Sequence, residues 1–200
     1  MDIIRKLTEE LGVQRWQAEA AVKLIDEGNT IPFISRYRKE ATGSLNDEVL
    51  RNLHERLTYL RGLEDKKNQV LGSIEEQGKL TEELKTQILA AETLVAVDDL
   101  YRPYRPKRRT RATIAKEKGL DGLADVIRLQ LTKKPLEEEA VAYLSEEKGV
   151  LTTADAIAGA GDILAEAISD EADYRAYIRK ATLDEGQLLS EAKDEKAQTV

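Results

Sequence analysis

Residues 46–60 read Asn-Asp-Glu-Val-Leu-Arg-Asn-Leu-His-Glu-Arg-Leu-Thr-Tyr-Leu, and their spacing sets the architecture of the chain. The leucines follow one another at intervals of three and four: Leu50, Leu53, Leu57 and Leu60. These intervals place side chains on one face of an α-helix. Asn46 can cap the first turn, and the acidic Asp47 and Glu48 suit the positive end of the helix dipole. The stretch therefore predicts a helix that begins near Asn46.

The same periodicity continues past residue 60. Apolar residues keep the spacing as far as Ile74, and no strong helix breaker occurs before about Gln77. Glu64 and Lys67 interrupt the apolar seam near its middle. Roughly 30 residues, at about 1.5 Å of rise each, form a rod of about 45 Å. A helix of that length can organise several shorter ones.

The rest of the chain also favours helix. Good helix formers dominate, aromatic residues make up 4%, and no run of alternating β-branched residues occurs. With 41% apolar residues the chain can bury a core. We therefore predict an all-α fold, a multi-helix scaffold organised on one long helix. Further helices are expected at about 2–10, 14–27, 81–91, 93–101, 113–118, 121–131, 136–147, 153–168 and 170–182.

Gly28 and Pro32 punctuate the N-terminal part. Gly28 is placed to end the second helix in a left-handed cap. The packing stripe of that helix is expected to contain Trp16, Ala20 and Leu24. Pro32 lacks an amide donor and restricts Ile31, so we expect residues 31–34 to form a loop. The chain then divides into a helical N-terminal part, the long helix and a bundle of short helices, at about 1–45, 46–77 and 80–200.

Several kinds of site are excluded by composition. The chain has no cysteine, which rules out disulfide frameworks, thiolate metal sites and cysteine nucleophiles. His54 is the only histidine, so no zinc site is expected. Acidic pairs such as Asp98 and Asp99 lie near predicted helix ends, where solvation explains them. Because no glycine-rich phosphate loop and no Ser-His-Asp arrangement is present, we expect no metal, no cofactor and no catalytic activity.

The sequence gives no sign of a membrane protein. No apolar run approaches the roughly 18 to 20 residues that span a bilayer. The start, Met-Asp-Ile-Ile, lacks the profile of a signal peptide, and the net charge of −7 disfavours anionic membrane surfaces. We expect a soluble cytoplasmic protein with no membrane partner.

Residues 101–111 read Tyr-Arg-Pro-Tyr-Arg-Pro-Lys-Arg-Arg-Thr-Arg and carry six positive charges and no negative one. We call these six cations the basic strip: Arg102, Arg105, Lys107, Arg108, Arg109 and Arg111. A block of like charge is tolerated when it is solvated, paired with acids elsewhere in the fold, or offered to a polyanion such as nucleic acid. Pro103 and Pro106 stiffen the segment. Tyr101 and Tyr104 are candidate packing or stacking surfaces.

Two interpretations of the basic strip remain open. Arginine forks suit bidentate contacts with phosphates, which would make the strip a nucleic-acid contact. Alternatively, the strip packs against acidic helices, since residues 135–200 carry 6 Lys and Arg against 16 Asp and Glu. Base-specific binding is not expected, because no helix presents Asn, Gln and Arg together as a recognition helix does.

A second group of cations, Arg36, Arg38 and Lys39, surrounds Tyr37. One interpretation is a further nucleic-acid contact. The interpretation that the sequence favours is that residues 32–34 fill the core while the arginines pair with buried or interdomain carboxylates. Removing one partner of a buried ion pair would lower the stability of the fold by about 3–5 kcal/mol.

Two long motifs resemble those of one known family. The first is Gly-Asn-Thr-Ile-Pro-Phe-Ile-Ser-Arg-Tyr-Arg-Lys-Glu at 28–40, followed by Thr-Gly-Ser-Leu at 42–45. The second is Asp-Leu-Tyr-Arg-Pro-Tyr-Arg-Pro-Lys-Arg-Arg-Thr-Arg-Ala-Thr at 99–113. Both are similar to the N-terminal signatures of the bacterial Tex family of transcription accessory proteins. The resemblance covers essentially the whole chain.

This resemblance implies a helical N-terminal region with a helix-turn-helix-like part. It also implies that the RNase H-like, helix-hairpin-helix and OB-type RNA-binding domains of the family lie outside these residues. Residues 190–200 have no packing pattern and no helix stop, so we expect the protein to continue. The implied role is a non-catalytic scaffold that positions nucleic-acid-binding domains for RNA or DNA and adds phosphate contacts. The rival is a protein-interaction module that docks onto other Tex domains or the transcription machinery.

Overall fold

The computed structural model describes residues 2–130 and 132–191. Within these residues the chain forms twelve α-helices, two short 3-10 turns and no strand beyond one isolated bridge between Ser145 and Val150. The all-α prediction is confirmed. The chain divides into two compact units, Met1–Tyr101 and Arg102–Val200, each with its own apolar core.

The first unit contains seven helices. They are α1 (Ile3–Leu11), α2 (Arg15–Asp26), α3 (Ile31–Tyr37), α4 (Lys39–Thr42), α5 (Asp47–Glu76), α6 (Glu82–Ala90) and α7 (Leu94–Tyr101). The predicted long helix is α5, and the Asn46 side chain accepts a hydrogen bond from the Val49 amide at 2.8 Å, as a cap does. Gly28 follows α2 with φ of +82°, as predicted.

The leucine seam of α5 forms the centre of this core. Leu50, Leu53 and Leu60 are fully buried, and they pack with buried residues of α1, α2 and α3: Leu7, Ala18, Ala21 and Ile34. Burying a leucine side chain contributes about 1.5–3 kcal/mol. Helices α1 to α3 are therefore held on α5 by the pattern visible in its sequence.

Two forked ion pairs add to this packing. The Arg56 guanidinium donates to both oxygens of Glu10, at 2.5 and 2.7 Å. The Arg61 guanidinium donates to both oxygens of Asp26, at 2.7 and 2.8 Å. These pairs lower the pKa of both carboxyls, chiefly through the hydrogen bonds from arginine. They fix the ends of α1 and α2 against α5.

Lys67 explains how α5 continues through its polar middle. The side chain is only 1% exposed. Its ammonium donates to the carbonyl oxygen of Leu89 at 2.8 Å and lies 3.2 Å from the carboxylate of Glu64. Leu89 belongs to the last turn of α6, where carbonyls have no partner within the helix. The lysine thus joins α5 to the end of α6.

The prediction of a loop at residues 31–34 is wrong, because these residues form the start of α3. Pro32 lies in the first turn, where a missing amide costs no helical hydrogen bond and the fixed φ already suits the helix. Of the three residues expected to fill the core, Ile34 is fully buried, whereas Pro32 and Phe33 are exposed.

The second unit contains five helices. They are α8 (Arg111–Glu117), α9 (Asp121–Leu129), α10 (Leu136–Ala140), α11 (Thr153–Asp170) and α12 (Ala172–Glu185). Small residues let α11 approach α8 and α9 closely: an added Cβ on Gly159 would lie 2.4 Å from Leu120. Buried alanines complete this core: Ala112, Ala115, Ala156 and Ala160.

The helix expected over 136–147 is shorter than predicted. It ends at Ala140 and continues as a 3-10 turn, Val141–Tyr143. A tight turn follows, in which Ser145 and Val150 exchange backbone hydrogen bonds of 2.9 and 2.8 Å. Val150 is buried, so the chain loses helical hydrogen bonds at this turn but gains the burial of an apolar side chain in the core. The helix-turn-helix-like part stays a prediction, and residues 192–200 of the expected tail lie outside the described residues.

Candidate nucleic-acid interface

The basic strip begins the second unit. Its first residue opens a 3-10 turn, Arg102–Tyr104, and its last residue, Arg111, is the first residue of α8. The hydroxyl oxygen of Thr110 accepts a hydrogen bond from the Thr113 amide at 3.0 Å and caps α8. The strip is therefore an irregular connection fixed at both ends by helical structure.

Two cations of the strip are tied to the C-terminal turns of α11. Arg102 Nε donates to Asp170 at 2.8 Å. The Lys107 ammonium contacts the other oxygen of the same carboxylate and lies 3.5 Å from Glu166. Because Asp170 is buried, this arrangement is a packing anchor. The acidic C-terminal third of the chain thus neutralises one part of the strip.

Three other arginines of the strip face solvent. Arg109 pairs with Glu117 at 2.6 Å, yet its side chain is 67% exposed. Arg111 lies 4.0 Å from Asp162 and is 87% exposed. Arg108 is exposed and pairs with no residue that the structure describes. Exposed ion pairs contribute about 0–1 kcal/mol, so a phosphate can replace their carboxylates at low cost.

The remaining strip residues and tyrosines have partners. Arg105 is exposed and Tyr104 half-buried, and both make further interactions, so neither is free. Tyr101 belongs to the first unit, where its hydroxyl lies 3.0 Å from that of Ser73. The Lys66 ammonium lies 5.9 Å from the ring centre of Tyr101. Tyr101 is therefore used in packing within its own unit.

The second group of cations lies at the junction of α3 and α4. Arg36, Arg38 and Lys39 are all exposed. Arg38 places its guanidinium 5.2 Å from the ring centre of Phe33. Across the described ranges, none of the three forms an ion pair with a carboxylate. The structure thus brings cations together with aromatic rings here, in a different unit from the basic strip.

Sequence reasoning missed two features of these surfaces. Trp16 was expected on the packing stripe of α2, but the buried residues of α2 are Ala18 and Ala21, and Trp16 is 51% exposed. The role of Asp170 as the shared partner of the strip was also missed. The surplus of acids after residue 135 indicated that the strip could meet acidic helices, but it did not single out Asp170.

Other kinds of site find little support in the described part of the chain. No three His, Cys, Asp or Glu side chains there are grouped so that they could hold a metal ion. No helix there combines the length and the apolarity needed to cross a membrane.

Comparisons with known proteins agree on one family. Residues 1–75 match the family model "Tex-like protein N-terminal domain", and residues 131–200 match "Tex central region-like". The chain is 48% identical over 190 residues to "Transcriptional accessory protein Tex" of Neisseria gonorrhoeae, covering 94% of this chain and 24% of that protein. It is 47% identical over 188 residues to "Protein tex" of Bordetella pertussis, with 94% and 24% covered.

A more distant relative carries a different name. "S1 RNA-binding domain-containing protein 1" of Homo sapiens is 31% identical over 180 residues, covering 89% of this chain and 18% of that protein. The chain spans about a quarter of the length of the bacterial relatives that it matches.

Proposed function

The chain belongs to the Tex family, and on this premise we propose that it is a helical scaffold that positions the nucleic-acid-binding parts of a longer protein and adds nonspecific phosphate contacts. The names of the relatives, a transcriptional accessory protein and an S1 RNA-binding protein, support a nucleic-acid role. The proposed contribution of this chain is mechanical and electrostatic, without catalysis.

The scaffold part of the proposal depends on α5. Its 30 residues extend over about 45 Å, and helices from both ends of the first unit pack along it. Its leucine seam, its two forked ion pairs and the buried Lys67 hold these helices in fixed positions. Such a frame can present attached domains at defined places.

The phosphate contacts rest on one observation, the division of the basic strip. Arg102 and Lys107 are held by Asp170 and fix the path of the segment. Arg108, Arg109 and Arg111 project into solvent with weak partners or none among the described residues. A fixed segment with exposed guanidinium groups binds a phosphate backbone with little further loss of conformational freedom.

A salt titration tests this contact. We expect duplex DNA to bind the 200-residue chain at low salt, with log affinity falling as log salt rises. Replacing Arg108, Arg109 and Arg111 with Ala should flatten that slope by about 2.7, because each duplex phosphate contact contributes about 0.9. The control variant combines Lys79→Ala with Lys85→Ala, two exposed lysines of the first unit, and should leave the slope unchanged. Absence of binding at low salt, or an unchanged slope in the triple variant, contradicts the proposal.

A protein-interaction role is the second candidate, and α12 favours it. No residue of α12 is buried, and its apolar side chains are exposed: Tyr174, Tyr177, Ile178 and Leu183. A set of exposed apolar groups on one helix is typical of a surface that another protein covers. Tyr177→Ser with Ile178→Ser should weaken binding to the remainder of the full-length protein, measured by calorimetry, and leave the DNA salt slope unchanged. Equal binding by the double variant contradicts this role.

A further inference from the structure

Exposed aromatic rings occur on α2 and α3, together with cations of α3 and α4 that pair with no carboxylate among the described residues. We call this group the aromatic–cation surface, and its members are Trp16, Phe33, Arg36, Tyr37, Arg38 and Lys39. It lies in the first unit and shares no residue with the basic strip. No part of the scaffold role explains why these groups face solvent.

The rings of this surface are unusually exposed. Tyr37 is 68% exposed and Trp16 is 51% exposed, although aromatic side chains gain most from burial. The Phe33 and Tyr37 rings lie side by side, with centroids 5.4 Å apart and planes tilted by 44°. Tyr37 therefore has one neighbour that orients its ring, while most of its surface stays open.

Gly43 fixes the position of Trp16. The backbone of Gly43 has φ of +62°, and an added Cβ would lie 2.4 Å from the indole ring of Trp16. Next to it, the Gln17 amide donates to the carbonyls of Thr42 and Gly43 at 3.2 Å each. The indole is thus seated against the backbone at the end of α4, with half of its surface outside.

The two exposed rings flank α4. Tyr37 precedes this helix and Trp16 lies against the residue that follows it. Helix α4 has only four residues, about 6 Å of rise, so Tyr37 and the residue that contacts Trp16 belong to one short stretch of backbone. Arg38 and Lys39 follow Tyr37 directly at the start of α4 and precede Gly43, the residue against which Trp16 lies.

The charge of this surface complements a polyanion. Within residues 29–46 the cations are Arg36, Arg38 and Lys39, and the only acid is Glu40, in a chain of net charge −7. In the described structure none of the three cations is neutralised by a carboxylate. Positive potential concentrated at one place on an acidic protein attracts anionic ligands.

We propose that the aromatic–cation surface binds single-stranded nucleic acid, with bases stacked on Tyr37 and Trp16 and phosphates contacted by Arg36, Arg38 and Lys39. Single-strand sites combine cations that follow the backbone with rings on which bases stack. A duplex hides its base faces, and an acidic peptide uses the cations but offers no base to the rings. This inference rests on the proposed function only in taking nucleic acid as the ligand. The two proposed sites share no residue, so each can be tested without the other.

Tryptophan fluorescence measures this binding directly, because Trp16 is the only tryptophan in the chain. We expect a thymidine 12-mer at low salt to quench the emission of the 200-residue chain saturably. A 12-mer of abasic sites carries the same phosphates without bases. It should bind about a hundredfold more weakly and cause little quenching, because two stacked bases are lost and each is worth about tenfold in affinity.

Variants separate the rings from the cations. Tyr37→Leu should weaken thymidine 12-mer binding about tenfold, whereas Tyr37→Phe, which keeps the ring, should bind as the parent does. Arg36→Gln with Lys39→Gln should flatten the salt slope by about 1.4, at about 0.7 for each single-strand contact. Lys85→Gln, an exposed lysine of α6, is the control and should change nothing. Circular dichroism confirms that each variant is folded.

Three results would overturn the proposal. If the abasic 12-mer binds as tightly as the thymidine 12-mer, stacking does not contribute to binding. A glutamate peptide that binds more tightly than the 12-mer assigns the surface to an acidic protein. Binding that leaves Trp16 emission unchanged, and that disappears when Arg108, Arg109 and Arg111 are replaced, places all contact on the strip. In that last case the function proposed for the strip stands while this inference fails.

Discussion

At the scale of single residues, Gly43 does two things that no other residue can do. Its φ of +62° lies in the left-handed region, which side chains with a Cβ avoid, and its missing Cβ leaves room for the Trp16 ring. The Thr-Gly-Ser-Leu motif contains this glycine, but sequence alone does not reveal the second role, because Trp16 lies 27 positions earlier. Only the tertiary structure brings the two together.

We expect Gly43→Ala to destabilise the protein more than Gly78→Ala does. Both glycines have similar φ, +62° and +66°, but no atom lies within 4 Å of an added Cβ at Gly78. The left-handed strain, about 1–2 kcal/mol, is therefore common to both variants. The difference, about 1–3 kcal/mol, measures displacement of the indole and of the Gln17 amide, whose nitrogen would lie 2.6 Å from the added Cβ. Urea denaturation gives both values, and equal losses would show that the indole and the Gln17 amide move away at no cost.

At the scale of elements, sequence predicted the helices whose signals are local. The cap at Asn46 and the leucine intervals placed α5 within one residue at either end. The prediction failed at α3, because proline was treated as a breaker although it lies in a first turn. It failed again after Ala140, where a buried Val150 and a closed turn replace the expected helix. Both errors come from competition between local preference and packing.

Removing the Lys67 side chain, which joins α5 to α6, should lower the free energy of unfolding by a measurable amount. We expect Lys67→Ala to destabilise the protein by about 2–4 kcal/mol, because it leaves the Leu89 carbonyl without its hydrogen-bond donor, removes one cation from the Glu64 carboxylate and opens a void. Lys85→Ala, on the exposed side of α6, should cost less than about 0.5 kcal/mol. Equilibrium urea unfolding measures both. A Lys67→Ala variant as stable as the control would show that the buried ammonium contributes nothing.

At the scale of the whole molecule, charge was visible in the sequence and its pairing was not. The cations of the basic strip were identified from one short segment. Which of them are neutralised depends on Asp170, which lies 68 positions after Arg102. Likewise, the exposure of Arg36, Arg38 and Lys39 depends on how α3 and α4 pack. The candidate sites were therefore predictable as positions, while their availability required the structure.

Stability of the first unit should fall in acid. The pKa values of Glu10 and Asp26 are lowered in the folded chain by hydrogen bonds from Arg56 and Arg61. A lowered pKa contributes stability above the unfolded pKa, and this contribution is lost as the pH falls through the folded one, here below about pH 4. Each pair is partly exposed, so we expect about 0.5–1 kcal/mol from each.

Thermal melting at pH 7 and at pH 3 checks this expectation. The double variant Glu10→Gln with Asp26→Asn should lose stability at pH 7 and show a smaller decrease between the two pH values than the parent. Glu83→Gln with Glu76→Gln, two exposed acids of the same unit, is the matched control. A parent and a double variant with the same pH dependence would show that these pairs do not contribute.

Asp170 balances two cations, Arg102 and Lys107, with a single carboxylate. A change at position 170 therefore removes the carboxylate that Arg102 and Lys107 share and leaves Lys107 with Glu166 alone, whereas a change at either cation leaves Asp170 paired with the other. Natural selection should constrain the three positions jointly. Among homologous sequences, we expect substitutions at 170 to occur together with compensating substitutions at 102 or 107, a statistical correlation that marks this anchor even in relatives of unknown structure.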